Sequence, residues 1–191
     1  MTIKILALSG SSRRDSYNQR VLDISARGAF EAGADVKTIR LVDFKLPIYD
    51  ADAESELGFP NGALALQELV AKHDALLIAT PEYNGGYMAL LKNAIDWVSR
   101  PRPDGSLGTA LFAGKAAALV SASPGQLGGL RSQTGMRTVL EKLGMLVIPQ
   151  FFALSTAHEA FNENGGMKDA NAETLVLAVG KALAGTASRL K

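Results

Sequence analysis

The chain has 191 residues, 47% of them hydrophobic, with a formal net charge of +1. That is enough apolar material for one domain, spanning 1–191, around a sizeable core, and the balanced charge points to neither nucleic acid nor an acidic partner. The absence of cysteine excludes disulfides, thiolate zinc sites, iron–sulfur clusters and thiol catalysis, and fits a reducing compartment.

The opening MTIKILALSG is too short an apolar run to span a membrane, and turns polar too soon for a signal peptide. The expectation is a soluble, cytoplasmic protein. Ile3 to Leu8 reads as a parallel strand covered on both faces. A polar loop, Ser9 to Asn18, follows it. Ser16 and Gln19 have the spacing of a capping box, which predicts a helix from near Tyr17 to about Ala32, stopped by Gly33. Asp35 to Leu41 gives the second strand, with Val36, Ile39 and Leu41 apolar. Val42 to Asn61 reads as irregular, punctuated by Pro47, Gly58 and Pro60, and its acidic residues Asp50, Asp52, Glu54 and Glu56 as a solvated loop. Asn61 is expected to cap a helix carrying Leu66, Leu69 and Val70.

The third strand is Ala75 to Thr80, and the loop Pro81 to Tyr87 opens a helix whose Leu91, Ala94, Ile95 and Val98 share one face. Arg100 to Gly105 breaks that helix as a solvated corner. Ala116 to Val120 is the fourth strand, and Ser121 to Gly129 a third unusual, glycine-rich loop. Met136, Val139, Leu140 and Leu143 repeat the helical spacing before a fifth strand starting at Met145 to Ile148. A polar loop covers Asn162 to Asn171. Leu175, Val179, Ala182, Leu183 and Thr186 are expected to form the inner face of the last helix.

Strands and helices alternate throughout, which predicts an α/β fold with an open parallel sheet and helices on both faces. Crossovers are right-handed. Five strands favour the flavodoxin-like three-layer sandwich in order 2-1-3-4-5 over the six-stranded dinucleotide order. Strands one, three and four are then central neighbours, and the three unusual loops that follow them meet at one crevice.

The first loop has the chemistry of a phosphate site. Ser9, Ser11, Ser12 and Ser16 supply hydroxyls, Asn18 an amide, and Arg13 and Arg14 positive charge, all at the start of a helix with unpaired N–H groups. It lacks the G-x-G-x-x-G spacing of dinucleotide sites and the Gly-Lys-Ser/Thr ending of an ATP loop, so a mononucleotide fits better. Simple helix capping is the plainer alternative. The two histidines, His73 and His158, read as surface residues. No metal-binding spacing and no G-x-S-x-G nucleophile turn is present.

Three segments together carry a resemblance: Gly10-Ser11-Ser12-Arg13-Arg14-Asp15-Ser16-Tyr17-Asn18, then Pro81-Glu82-Tyr83-Asn84, then Leu91-Lys92-Asn93-Ala94-Ile95-Asp96-Trp97. From residue 3 to about 145 the chain resembles the NADPH-dependent FMN reductase family, which includes quinone, chromate and azo-dye reductases. The resemblance implies a flavodoxin-like fold that binds FMN, with NADPH or NADH as co-substrate. It implies phosphate contacts from Ser11, Arg13, Ser16, Tyr17 and Asn18, and ring contacts, largely main-chain, from Pro81, Glu82, Tyr83, Asn84 and Gly85. Ser121, Ser123 and Gly125 would complete the pocket. A homodimer or homotetramer is implied, with a small-molecule electron acceptor and neither nucleic acid nor membrane as partner.

The implied chemistry is hydride transfer from NAD(P)H through FMN N5 to a quinone, azo, flavin or oxidised-metal acceptor, by a ping-pong mechanism. The flavin performs the redox step, so no catalytic side chain and no metal is expected. Lys92, Asn93 and Asp96 are expected to organise the helix start or bond neighbouring loops, and Trp97 and Val98 to be packing or subunit-contact residues. One departure is visible: many family members have a polar residue after the Asn and a proline before the Leu-Lys-Asn segment, where this chain has Gly85-Gly86-Tyr87-Met88. A flavodoxin-type electron carrier, a non-catalytic FMN-binding sensor and a phosphate-ester hydrolase are the rival readings.

Overall fold

Strand β1 (Lys4–Ser9) pairs in parallel with β2 (Asp35–Arg40) on one side and β3 (Ala75–Ala79) on the other. β3 pairs with β4 (Ala116–Ala122), and β4 with the edge strand β5 (Leu146–Leu154). The order is therefore β2-β1-β3-β4-β5, as the alternation of elements predicts. The computed structural model describes residues 1–191. Six helices accompany the sheet: α1 (Tyr17–Glu31), α2 (Ala51–Leu57), α3 (Asn61–Lys72), α4 (Ala89–Val98), α5 (Leu130–Lys142) and α6 (Ala170–Leu190). None is long and apolar enough to cross a membrane.

Successive side chains of a strand point to opposite faces, so the continuous apolar runs build two cores. On one face Ile5, Ala7, Leu77, Ala79, Ala118 and Val120 pack against α1 and α6. On the other Leu6, Leu8, Leu76, Ile78 and Leu119 pack against α3, α4 and α5. Helix α4 turns Leu91, Ala94, Ile95 and Val98 inward, the face the spacing predicts.

Several expectations are corrected. The stretch read as irregular contains α2, because Asp50 accepts hydrogen bonds from the amides of Asp52 at 2.8 Å and Ala53 at 3.0 Å and so caps a helix. Asp52 and Glu54 then lie in a first turn, where the helix dipole favours carboxylates. Asn61 is the first residue of α3 rather than its cap, which is Pro60 and makes no side-chain bond. Arg100 is no solvated corner: its Nε donates to Glu54 at 2.9 Å, and its guanidinium lies 5.2 Å from the Tyr49 ring centre. His73 is buried at the end of α3, with Nδ1 2.6 Å from the carbonyl of Leu69. The fifth strand runs on past Pro149 to Leu154. The register shifts there, with Val147 opposite Ala117 but Phe151 opposite Leu119, because proline has no N–H for the ladder.

Helix α6 is rotated from its expected phase. Leu175 is 58% exposed, and the inward residues are Val176, Val179, Gly180, Leu183, Ala184 and Ala187. The cause is backbone contact with α1. A Cβ on Gly180 would lie 1.8 Å from the carbonyl oxygen of Ser25, and one on Gly28 would lie 2.1 Å from that of Leu177. Two small positions let the helices touch, and the touching point sets which face turns in. Gly180→Ala or Gly28→Ala is expected to destabilise by about 3 kcal/mol or more in urea unfolding. Gly185→Ala, which enters open space on the same helix, is expected to stabilise by up to about 1 kcal/mol.

Candidate functional site

The loops after β1, β3 and β4 do meet at the carboxyl edge of the sheet. Their approach depends on Gly10. Its amide donates to the carbonyl of Ala79 at 3.0 Å, and a Cβ there would sit 3.1 Å from Leu91 Cβ and 3.3 Å from Pro81 Cδ. A larger residue would push the first two loops apart. The resulting crevice has a volume of about 70 Å³. Ser11, Arg13, Ser16, Tyr17 and Asn18 line it from the first loop, Pro81, Glu82 and Tyr83 from the second, and Ala122, Ser123 and Pro124 from the third.

Ser16 caps α1, its Oγ accepting from the amide of Gln19 at 3.3 Å. The reciprocal arm of a capping box is missing: Gln19 Nε2 donates to Asp23 at 2.8 Å instead of serving the amide of Ser16. The amides of Ser16, Tyr17 and Asn18 donate to no protein acceptor. Three N–H groups at the positive end of a 15-residue helix therefore border the crevice, beside the buried hydroxyls of Ser11 and Ser16. The exposed Arg13 adds a cation, its guanidinium 6.0 Å from the Tyr17 ring centre. Tyr17 in turn stacks on Phe161, with ring centres 6.1 Å apart. This donor set suits a terminal phosphate.

Asn18 has a structural duty. Its Nδ2 donates to the carbonyl of Ala122 at 2.8 Å, and its Oδ1 accepts from the amide of Ala122 at 3.0 Å. Its side chain joins the first loop to the third, so its main-chain N–H is the part that faces the crevice edge unengaged.

In the second loop Glu82–Tyr83 pairs with Gly86–Tyr87 in a short hairpin. Asn84 (φ 52°) and Gly85 (φ 79°) form its turn, both left-handed, the conformation that an Asn-Gly pair adopts most readily. The amides of Asn84 and Gly85 have no protein acceptor. Tyr83 is 56% exposed, so the tip of the hairpin is an open surface with main-chain donors on it.

Glu82 is expected at the ring largely through its main chain, and its carboxylate is engaged by α5. It accepts from the amide of Arg131 at 3.1 Å, from Arg131 Nε at 2.7 Å, from Arg131 Nη2 and from the amide of Ser132 at 3.4 Å. Burial pushes its pKa up, but the Arg131 and Ser132 bonds outweigh that and hold it below the ordinary value of 4.5. Ser132 also fixes the base of the hairpin, its Oγ donating to the carbonyl of Pro81 at 2.9 Å and accepting from Thr80 Oγ1 at 2.5 Å.

Of the three third-loop residues expected at the site, Ser121, Ser123 and Gly125, only Ser123 lines the crevice. Ser121 is fully buried behind it, donating to the carbonyl of Gly128 at 2.7 Å and accepting from Gln133 Nε2 at 2.6 Å. The amide of Gly125 donates to Ser123 Oγ at 3.1 Å, which shapes the loop from its exposed side. Sequence reasoning missed Arg131, Ser132 and Gln133, which organise the site from α5. Their signal, the polar run Arg131-Ser132-Gln133 just after Gly128-Gly129, was visible but has no local partner. Asn93 bonds a neighbouring loop as expected, donating to the carbonyl of Pro47 at 2.8 Å and accepting from the amide of Tyr49 at 2.8 Å. A separate apolar cavity of about 20 Å³ under Leu8, Leu41 and Phe112 has no polar lining and no chemistry to offer.

Residues 3–159 match the NADPH-dependent FMN reductase family. The chain belongs to that family. It is 40% identical over 177 residues to an NAD(P)H-dependent FMN reductase of Pseudomonas aeruginosa, covering 91% of this chain and 89% of that one. It is 37% identical over 151 residues to the quinone reductase of Escherichia coli, covering 78% and 76%. Among solved structures it superposes on the flavoenzyme FerB, an NAD(P)H:(acceptor) oxidoreductase from Paracoccus denitrificans, with a TM-score of 0.81, 26% identity and 98% of both chains covered. A flavodoxin from an archaeon, at 10% identity and a TM-score of 0.64, shares the fold alone. The family match makes the protein an oxidoreductase of the class that uses FMN and NAD(P)H, and extends the likeness beyond residue 145.

Asn18→Ala is expected to cost about 2 kcal/mol in urea unfolding, because it strands both main-chain groups of Ala122 in a buried place. Glu82 makes a contribution to folding that is fully present above pH 4.5 and fades as pH falls through its lowered pKa. Thermal unfolding of Glu82→Gln is therefore expected to lack that part of the loss of stability in acid.

Proposed function

We propose that the crevice binds FMN, with its phosphate at the start of α1 and its ring against Pro81–Gly85, and that the protein passes reducing equivalents from NADPH or NADH to a small oxidised acceptor. The observation that carries this reading is the set of free amides at Ser16, Tyr17 and Asn18 beside two buried hydroxyls, at the switch point between β1 and β3. Ligands of open α/β sheets bind at that place, and the donors there match one terminal phosphate rather than a pyrophosphate.

In this reading Ser11, Ser16 and Arg13 bind the phosphate with their side chains, and Tyr17 and Asn18 with their amides. Pro81, Glu82, Tyr83, Asn84 and Gly85 supply the wall for the ring. The unpartnered amides of Asn84 and Gly85 are suited to its polar edge. Ser123 closes the third side, with Ser121 and Gly125 holding its loop in shape. When bound, FMN supplies the redox chemistry, accepting a hydride at N5 from the nicotinamide and later giving up the electrons to a quinone, azo compound, free flavin or oxidised metal species. The chain's own task is to bind, orient and shield on one side only. The hairpin tip is exposed on the other, so donor and acceptor take the same place in turn, which is a ping-pong scheme. The relatives named as quinone reductases support a quinone as one acceptor. The reading includes assembly of identical subunits, supported by the exposed apolar side chains of Ile48 and Leu57, 87% and 85% accessible.

The purified protein is expected to be yellow, to bleach when NADPH or NADH is added without oxygen, and to recover colour when a quinone follows. Initial rates at several quinone concentrations are expected to give parallel double-reciprocal lines. Protein that takes up no FMN overturns the reading, and protein that binds FMN but oxidises neither nicotinamide is an electron carrier. Arg13→Ala is expected to weaken FMN binding about tenfold, the loss of one charge-assisted contact. An unchanged affinity would remove Arg13 from the phosphate site.

A further inference from the structure

We infer that Glu82 and Arg131 form a charge-compensated positioning pair that seats the hairpin and sets how easily the bound cofactor is reduced. The inference rests on the FMN reading above and adds to it residues that act through their side chains, away from the phosphate.

Helix α5 begins at Leu130, and its cap residue, Gly129, has no side chain to offer. The Leu130 amide donates to the carbonyl of Leu127, but those of Arg131 and Ser132 would be orphaned at the site's edge without Glu82. Glu82, 49 residues earlier, serves the Arg131 amide and binds the Arg131 side chain at the same time. The two interactions fasten the hairpin to α5 at its base. The fit continues along the helix: a Cβ on Gly135 would lie 3.0 Å from the ring of Tyr87, so the far strand of the hairpin rests on α5 as well. At the tip, the Arg131 guanidinium carbon lies 3.7 Å from where a Cβ of Gly85 would be. One arginine thus touches both the first residue of the hairpin and its turn.

Charge gives the pair a second consequence. Glu82 lines the crevice and its side chain is only 8% exposed, so its negative charge is poorly screened by water. Hydride transfer leaves the nicotinamide oxidised and positively charged, and adds one negative charge to the cofactor ring. A bare carboxylate in the wall would oppose that step. Arg131 cancels it. Of the two, Arg131 is the solvent-facing partner, 60% exposed, and a cation so open to water adds little to folding for its charge alone. Its compensation of a buried carboxylate beside a redox site is a different matter.

A purely structural role and a compensating one make opposite forecasts. If the pair only seats the hairpin, breaking either side loosens the same contact and shifts the cofactor the same way. If it also balances charge, the two sides act in opposite directions. The test is to measure dissociation constants of oxidised and reduced FMN, or the midpoint potential of the bound flavin, for the whole protein and its variants. Glu82→Gln, which leaves Arg131 unbalanced, is expected to favour the reduced form about fivefold in the ratio of the two constants. Arg131→Gln is expected to disfavour it by a similar factor, and the double variant to return close to the starting ratio. Arg131→Lys keeps the charge but not the forked geometry, so it is expected to hold the ratio while weakening FMN of both oxidation states.

Shifts in the same direction for both single variants, or no shift in either, overturn the inference while leaving FMN binding intact. If Glu82→Gln does not fold, the comparison of Arg131→Gln with Arg131→Lys decides alone: equal ratios overturn the charge role. A wild-type protein that binds no flavin overturns the functional reading and this one together.

Discussion

Two hydrogen bonds between the Asn18 side chain and the main chain of Ala122, 2.8 and 3.0 Å long, bind parts of the chain 104 residues apart. The rest of the site depends on them. Asn18 is in the first turn of α1, and Ala122 is the last residue of β4. The amide uses its donor and its acceptor on one residue, so it fixes orientation as well as distance. That matters because the field of a helix end fades within its first turn. An anion gains from the amides of Ser16, Tyr17 and Asn18 only if the helix is aimed at it. Helix α1 is aimed by a strand two places along the sheet, through a bond that a backbone alone could not make.

The aim is kept because the scaffold behind it is rigid for a plain steric reason. Alanines at 7, 79 and 118 present small side chains to α1 and α6, and Gly28 and Gly180 let those helices meet backbone to backbone. Such a contact has little slack. On the opposite face larger residues, Leu6, Leu8, Leu76 and Ile78, keep α3, α4 and α5 at ordinary packing distance. The segment after the hairpin is tied in separately. Trp97 Nε1 and Asn93 Nδ2 both donate to the carbonyl of Pro47, each at 2.8 Å, and the rings of Tyr49 and Phe59 pack edge-on against Trp97. The Leu91–Trp97 motif is therefore a strut between α4 and the α2 segment. Its residues hold the hairpin's exit, and the open side of the site is left to the hairpin itself.

What could be read from the sequence follows from what is local. Strand runs such as Ile3–Leu8 and Ala75–Ala79 carry their burial in their composition, and five of them alternating with helices leave one favoured order. The three loops could then be placed together without knowing a contact between them. Ser16 could be read as a cap because its partner, Gln19, is three residues away. Features whose partners are distant were missed or misassigned. Asp50 is the local exception: its two amides are only two and three residues on, but they lie in a run of alternating acids that reads as a loop. Arg100 reads as a solvated corner because Glu54 lies 46 residues back. The phase of α6 is decided by glycine, the residue a search for large apolar side chains passes over. Glu82 belongs to the same class: its motif identifies the loop, while its chemistry is written in Arg131, on another helix.

The two ends of the crevice are built on different principles, and the difference explains why a motif can mark one site yet leave its chemistry open. At the α1 end the donors include side chains, Ser11, Ser16 and Arg13, whose identity the sequence must keep if a phosphate is to be held. At the hairpin end the donors are main-chain amides in a left-handed turn, and what the sequence must keep is a conformation. Asn84-Gly85 satisfies that requirement, and residues beyond the turn are free of it. The chain's departure from its family starts in the turn itself, at Gly85, and runs on through the freer part, Gly86, Tyr87 and Met88. Tyr87 packs against Gly135, and Met88 is the residue that precedes α4, so both lie beyond the exposed tip. With Tyr83 and Asn84 the accessible side chains there, the tip offers area together with the two free main-chain donors of its turn.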